Sequence, residues 1–326
     1  MLGHSDEGRH GSSTRLAGLV AGIMLIVGGL AGQAAAESAV PAYPGDFPDP
    51  AVIVAGGYFA YATGHGSNLQ VISSPDLHTW SPPSDPLPRL PAWASQPWTW
   101  APGVIRRGST YLMYYTAHHK AWNQQCISVA TSASPAGPFT DNSSAPLLCQ
   151  RSRGGSIDPQ PFLAPNGALY LLWKSDNNAI GRPTELWSQQ LSPDGRFRIG
   201  SPTKLLDALP APAWHGGIIE GPAMVYAAGA YYLFYGASAW DSPQAGIGYA
   251  TCTTPLGPCV DQSVTGPWLA GRSGAQGPSG PAVVADPGGG LHLAYHAWTG
   301  AVGYPAGNRS LFIDALTFSP GRPVLG

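Results

Sequence analysis

Apolar positions along this chain recur in short dense runs rather than at the three-to-four spacing of an amphipathic helix. Tyr58–Ala62, Tyr111–Tyr115, Leu169–Trp173, Tyr231–Tyr235 and Leu291–Tyr295 are such runs, each rich in aromatics and each with Gly just upstream. Stretches of this length and composition predict β-strands. Roughly ten residues before each run stands a proline in a recurring context. The five contexts are Asp49-Pro50-Ala51-Val52, Ala101-Pro102-Gly103-Val104, Asp158-Pro159-Gln160-Pro161, Gly221-Pro222-Ala223-Met224 and Gly280-Pro281-Ala282-Val283. The prolines are 52, 57, 63 and 59 residues apart. Each segment then carries a third stretch ending in Ser-Pro or Thr-Pro, at Pro75, Pro135, Pro193, Pro255 and Pro320. Strand, turn, strand, loop, strand, turn and a fourth strand, repeated five times, predict an all-β five-bladed β-propeller. No linker-like stretch divides residues 37–326, which read as one domain.

The first 36 residues break this pattern. Arg9, His10 and Arg15 precede an apolar run from Leu16 to Leu30, and Ala34-Ala35-Ala36 follows. This reads as a signal peptide over residues 1–36. The uninterrupted run is shorter than the ~20 residues that span a bilayer. The expected product is secreted and extracellular, soluble and free of the membrane once cut. Four cysteines agree with an oxidising compartment. Cys252 and Cys259 bracket a short turn and are expected to pair. Cys126 and Cys149 form the remaining pair, although four cysteines allow three pairings.

Composition narrows the class further. Gly (43) and Pro (34) together approach a quarter of the 326 residues, about twice the usual share. Such a chain is rich in turns. Charged residues are only 10% and hydrophobic residues 44%, which excludes a disordered chain and argues against helical bundles. The net charge of −2 offers no electrostatic footprint for nucleic acid.

Scarce charge makes each carboxylate informative. Beyond the leader only Glu37, Glu185 and Glu220 are glutamates. In a propeller the first strand of each blade lines the central channel, so matching positions converge there. Asp49 and Asp158 immediately precede the aligned proline in repeats one and three, and Glu220 lies two residues before it in repeat four. Like charges out of water oppose each other's ionisation, which keeps one carboxyl protonated beside an ionised one. Glycosidic bond hydrolysis needs that pairing: one acid protonates the leaving oxygen, one carboxylate activates water or attacks the sugar. A third orients the acid and raises its pKa. The same oxygens would also suit a hard cation, and an isolated Asp such as Asp46 or Asp286 reads as a turn residue.

At these residues the sequence resembles glycoside hydrolase family 43, the five-bladed arabinofuranosidases, arabinanases and xylosidases. The matching pieces are Gly45-Asp46-Phe47-Pro48-Asp49-Pro50, Trp100-Ala101-Pro102, Ser156-Ile157-Asp158-Pro159 and Ile219-Glu220-Gly221-Pro222. The resemblance implies an inverting hydrolase acting on cell-wall polysaccharides or oligosaccharides. It makes Asp49 the general base, Asp158 the residue that tunes and orients the acid, and Glu220 the general acid. His296 matches a fifth-blade histidine found in several members near a channel cation (Ca2+ or Na+) or its waters. No cofactor is required for the reaction. Arg309 resembles a late arginine that reaches the pocket. Gly103 departs from the pattern, since many relatives carry an acidic residue after Trp-Ala-Pro.

Sugar rings stack on aromatic faces. Trp98, Trp100, Trp214 and the adjacent His215, with His296 and Arg309, are the expected substrate contacts, and Trp122, Trp173, Trp240 and Trp298 are further candidates. The expected partner is the saccharide alone, bound by a monomer. A propeller that binds sugars without cleaving them is the alternative reading.

Overall fold

A computed structural model of the chain describes residues 38–319 and 321–326. The leader expected over residues 1–36 lies outside the described residues, as does Pro320. Among the described residues no helix is long and apolar enough to cross a membrane.

The strands fall into five antiparallel sheets, each built from consecutive segments. The first holds β1 (Ala51–Val54), β2 (Tyr58–Thr63) and β3 (Leu69–Ser74). The second holds β4 (Ala94–Arg107), β5 (Thr110–His119) and β6 (Gln124–Ser132). The third holds β7 (Ser156–Leu163), β8 (Leu169–Ser175), β9 (Glu185–Leu191) and β10 (Arg198–Asp207). The fourth holds β11 (Ile219–Ala227), β12 (Ala230–Ala237), β13 (Gly246–Cys252) and β14 (Cys259–Asp261). The fifth holds β15 (Gln276–Ala285), β16 (Leu291–Gly300), β17 (Gly307–Ser319) and β18 (Arg322–Leu325). The first strands touch in sequence, β1 to β4 to β7 to β11 to β15, and β15 returns to β1. That closed ring is a five-bladed propeller.

The dense apolar runs are the second strands. Both faces of each are covered, so apolar and polar positions do not alternate. Tyr111, Met113 and Tyr115 face a cluster shared with Tyr61 and Val71 of the first blade. Leu112 and Tyr114 face the next blade, against Leu169, Leu171 and Trp173. The same division recurs between blades three and four, four and five, and five and one. Each such side chain taken from water contributes about 1.5–3 kcal/mol.

The first two blades lack the expected full fourth strand. Single bridges replace it, Val71 to Ser84 in the first blade and Ile127 to Leu148 and Thr131 to Thr140 in the second. The first of these segments contains Pro82, Pro83, Pro86, Pro88 and Pro91. Proline cannot donate to a ladder, so pairing survives only where a free N–H falls in register. The ring is latched by its own N-terminal segment: Tyr43 and Leu311 exchange both backbone hydrogen bonds, and the Phe47 N–H donates to the Arg309 carbonyl. Cys126–Cys149 and Cys252–Cys259 are both bonded.

The aligned prolines mark one structural event repeated five times. The residue before each is in the left-handed region, with φ of 54° at Asp49, 47° at Ala101, 55° at Asp158, 55° at Gly221 and 59° at Gly280. In blades two to five the ladder slips there by a bulge. Glycine takes this conformation freely, whereas Asp and Ala carry a strain of about 1–3 kcal/mol each. The bulge re-aims the preceding side chains toward the centre of the ring.

Candidate active site

The five turns enclose a cavity of about 460 Å³ whose lining includes Asp49, Asp158 and Glu220. Three of the sparse carboxylates therefore meet in one place, and Asp176 joins them on the cavity wall. Their surroundings differ.

Asp49 is held by neutral and cationic partners. Its Oδ2 accepts a 2.6 Å hydrogen bond from the Thr63 hydroxyl, and its Oδ1 lies 3.5 Å from Arg309 Nη1. Burial pushes its pKa up, but the Arg309 guanidinium and the Thr63 hydroxyl hold the carboxyl below the usual carboxylate range. Arg309 is itself caged. Its guanidinium lies 4.9 Å from the Trp240 ring centre and 5.7 Å from that of Tyr304, and Nε donates to the Tyr304 hydroxyl. Asp46 ties this cage to the N-terminal segment by accepting from that hydroxyl and from the Arg309 N–H. It is more than a local turn residue.

Asp158 has the opposite balance. Burial, then the charges of Glu220 and Asp49, push it up to about 7 against the pull of Lys174 and of the Gly221 N–H. That N–H donates to Asp158 Oδ2 at 3.0 Å, so Asp158 grips the turn that carries Glu220.

Lys174 is a site residue that sequence reading missed, as are Thr63 and Asp176. The Lys174 side chain is 2% exposed, and Nζ lies 3.0 Å from Glu220 Oε2. Burial would lower its pKa, yet Glu220, Asp158 and Asp176 raise it instead. The buried ammonium is paid for by carboxylates on two blades.

Trp100, Trp240 and Arg309 line the cavity. Trp98, Trp214, His215 and His296 do not. Trp98 is 48% exposed and meets His118 edge-on. Trp214 donates its indole N–H to the Ser263 carbonyl. His215 is buried against Tyr235, and its Nδ1 accepts from the Leu209 N–H. The loop before Glu220 thus folds into the core between blades three and four. Gly103 also finds its reason: a Cβ there would stand 2.4 Å from the Pro159 carbonyl oxygen and 2.6 Å from Pro161 Cδ. Blade three sits too close for any side chain.

His296 is 1% exposed. Its Nδ1 accepts a hydrogen bond from the Asp49 N–H at 3.0 Å, which leaves the ring proton on Nε2. That nitrogen offers a cation no lone pair, so the donor set does not fit a metal ligated by His296. Among the described residues no group of three or more His, Cys, Asp and Glu is arranged to hold a metal ion.

Comparison with known proteins agrees with this architecture. A crystal structure of a thermostable family-43 glycoside hydrolase superposes with a TM-score of 0.76 at 30% identity, over 86% of this chain and 92% of that one. The β-D-galactofuranosidase of Aspergillus niger is 27% identical over 67% of this chain, and the match spans 64% of that enzyme's length. The extracellular endo-α-(1→5)-L-arabinanase 1 of Bacillus subtilis is 25% identical over 70% of each chain. The model of glycosyl hydrolases family 43 matches residues 39–323, and the chain belongs to that family.

Proposed function

We propose that the protein is a secreted, inverting glycoside hydrolase that cleaves arabinofuranosyl or xylosyl linkages in cell-wall polysaccharides or oligosaccharides. The observation that carries this reading is the split among the cavity carboxylates. Asp49 is kept ionised, as a general base requires. Asp158, buried beside Glu220 and Asp49, is pushed up to about 7 and holds a proton next to the acid. Asp49 takes a proton from water as that water attacks the anomeric carbon. Glu220 gives a proton to the departing oxygen, while Asp158 fixes the turn that carries it. The leader pattern, the two disulfides and the extracellular relative support secretion.

The test is product analysis on arabinan, arabinoxylan, xylo-oligosaccharides and aryl furanosides, with the anomer of the first-formed sugar read by NMR. Release of the inverted anomer is the expected result. Binding without release from any substrate would favour a sugar-binding propeller instead.

The pH profile tests the split independently. kcat/KM should hold to low pH because Asp49 stays ionised below the usual range. It should fall as pH rises through about 7, where Asp158 beside the acid loses its proton. Lys174→Met removes the cation that opposes protonation of Asp158. Its alkaline limb should move up by about one pH unit or more. A downward or absent shift would contradict the electrostatic assignment.

A further inference from the structure

Five second-strand residues occupy one equivalent position. Thr116 stands opposite Trp100, Lys174 opposite Ile157, Gly236 opposite Glu220 and His296 opposite Ser279, while the Thr63 N–H donates to the Pro48 carbonyl. Each partner in this set precedes its blade's left-handed residue. The side chains at this position serve the next blade around the ring. Thr63 Oγ1 accepts from the Ala101 N–H at 3.0 Å, and Thr116 Oγ1 accepts from the Asp158 N–H at 3.2 Å. His296 Nδ1 accepts from the Asp49 N–H, closing the ring from blade five to blade one. Lys174 has no acceptor, and there the Gly221 N–H turns to Asp158 instead.

We infer that His296 is a positioning residue for Asp49, fixed in the Nε2–H tautomer, and that its second nitrogen is a hydrogen-bond donor and not a cation ligand. The inference rests on Asp49 being the general base. The left-handed turn at Asp49 needs its N–H satisfied, and an imidazole with a free Nδ1 does what a hydroxyl does in blades one and two. The fit is close: a Cβ on Gly280 would stand 2.8 Å from Nδ1, so glycine lets the ring reach. Ligating a cation through Nε2 would move the proton to Nδ1, facing the Asp49 N–H. The Asp49 Oδ1, 3.6 Å away, is beyond the reach of a hydrogen bond that could absorb it. Nε2 has no hydrogen-bond partner among the described residues, and as a donor it calls for an acceptor such as a buried water.

Two variants separate the nitrogens. His296→Asn places an amide oxygen near the Nδ1 position, and His296→Gln places one near Nε2. On an aryl glycoside, kcat of His296→Asn should fall about tenfold and that of His296→Gln about 100-fold or more, with KM little changed in both, because a misplaced base costs turnover. The wild-type melting temperature should be the same in EDTA and in added Ca2+. Ring 15N shifts of labelled protein, with His296→Asn assigning the signal, should show the Nε2–H tautomer. Overturning results are the reverse order of the two variants, a Ca2+-dependent melting temperature lost in His296→Gln, or an Nδ1–H tautomer. The tautomer reading needs no activity. An inert protein with the Nε2–H form would sink the hydrolase reading and leave this assignment standing.

Discussion

Glu220→Ala should lower kcat by about 10²–10⁴-fold on a glycoside with a poor leaving group, such as an arabino- or xylo-oligosaccharide. On an activated aryl glycoside the loss should be far smaller. A sugar alkoxide cannot depart without a proton, whereas a nitrophenolate can, so only the first reaction feels the missing acid. The site prepares that proton through Glu220's neighbours. Asp158, pushed up to about 7, accepts from the N–H of Gly221, the residue that follows Glu220. A shift of Asp158 therefore moves the acid's own backbone. Lys174 holds the other side of Glu220 at 3.0 Å. Steady-state kinetics on the paired substrates provide the measurement. Equal losses on both would remove Glu220 from the acid role.

Much of this arrangement was legible because the fold imposes the same local geometry five times. The left-handed residue before each proline is a backbone demand, and the sequence answers it with Asp, Ala, Asp, Gly and Gly at Asp49, Ala101, Asp158, Gly221 and Gly280. Glycine is the easy answer, so an aspartate there in a chain with 10% charged residues stands out. The second strands were visible for a different reason. Burial between two blades turns them into unbroken apolar runs.

Lys174 was hidden by the same logic. In Leu171-Leu172-Trp173-Lys174-Ser175 it reads as the charged end of a strand emerging into water, but the strand ends at the cavity. Its equivalence to Thr63, Thr116 and His296 was the available signal, and it needs the second strands aligned on their ends rather than on their apolar runs. Trp214 and His215 misled through proximity in sequence. They lie five or six residues before Glu220, but the Gly216-Gly217 turn, with φ of 59° and 84°, separates them, and both residues enter the core. Loop direction of this kind is set by distant packing against Tyr235 and Ser263, which no local pattern announces.

Asp49→Ala should lower kcat by a comparable 10²–10⁴-fold or so, but on both classes of substrate alike. Attack by water is common to every leaving group, so a better one offers no escape. The contrast with Glu220→Ala is therefore more informative than either loss alone. Asp49→Asn sharpens it, since the amide keeps the size of the carboxylate and can still accept from the Thr63 hydroxyl, but it cannot take a proton from water. It should be as damaged as alanine. If the asparagine variant retained turnover, Asp49 would serve only to hold Arg309 and the substrate, and the base would have to be sought elsewhere. The surroundings argue against that outcome. Arg309 lies 3.5 Å from Asp49 Oδ1, with its guanidinium 4.9 Å from the Trp240 ring centre. The Thr63 hydroxyl takes Oδ2, and the Asp49 N–H is satisfied by His296. Every contact keeps this carboxylate charged and in place while leaving it 27% exposed to the cavity, which is what a group that must meet a water and a sugar requires.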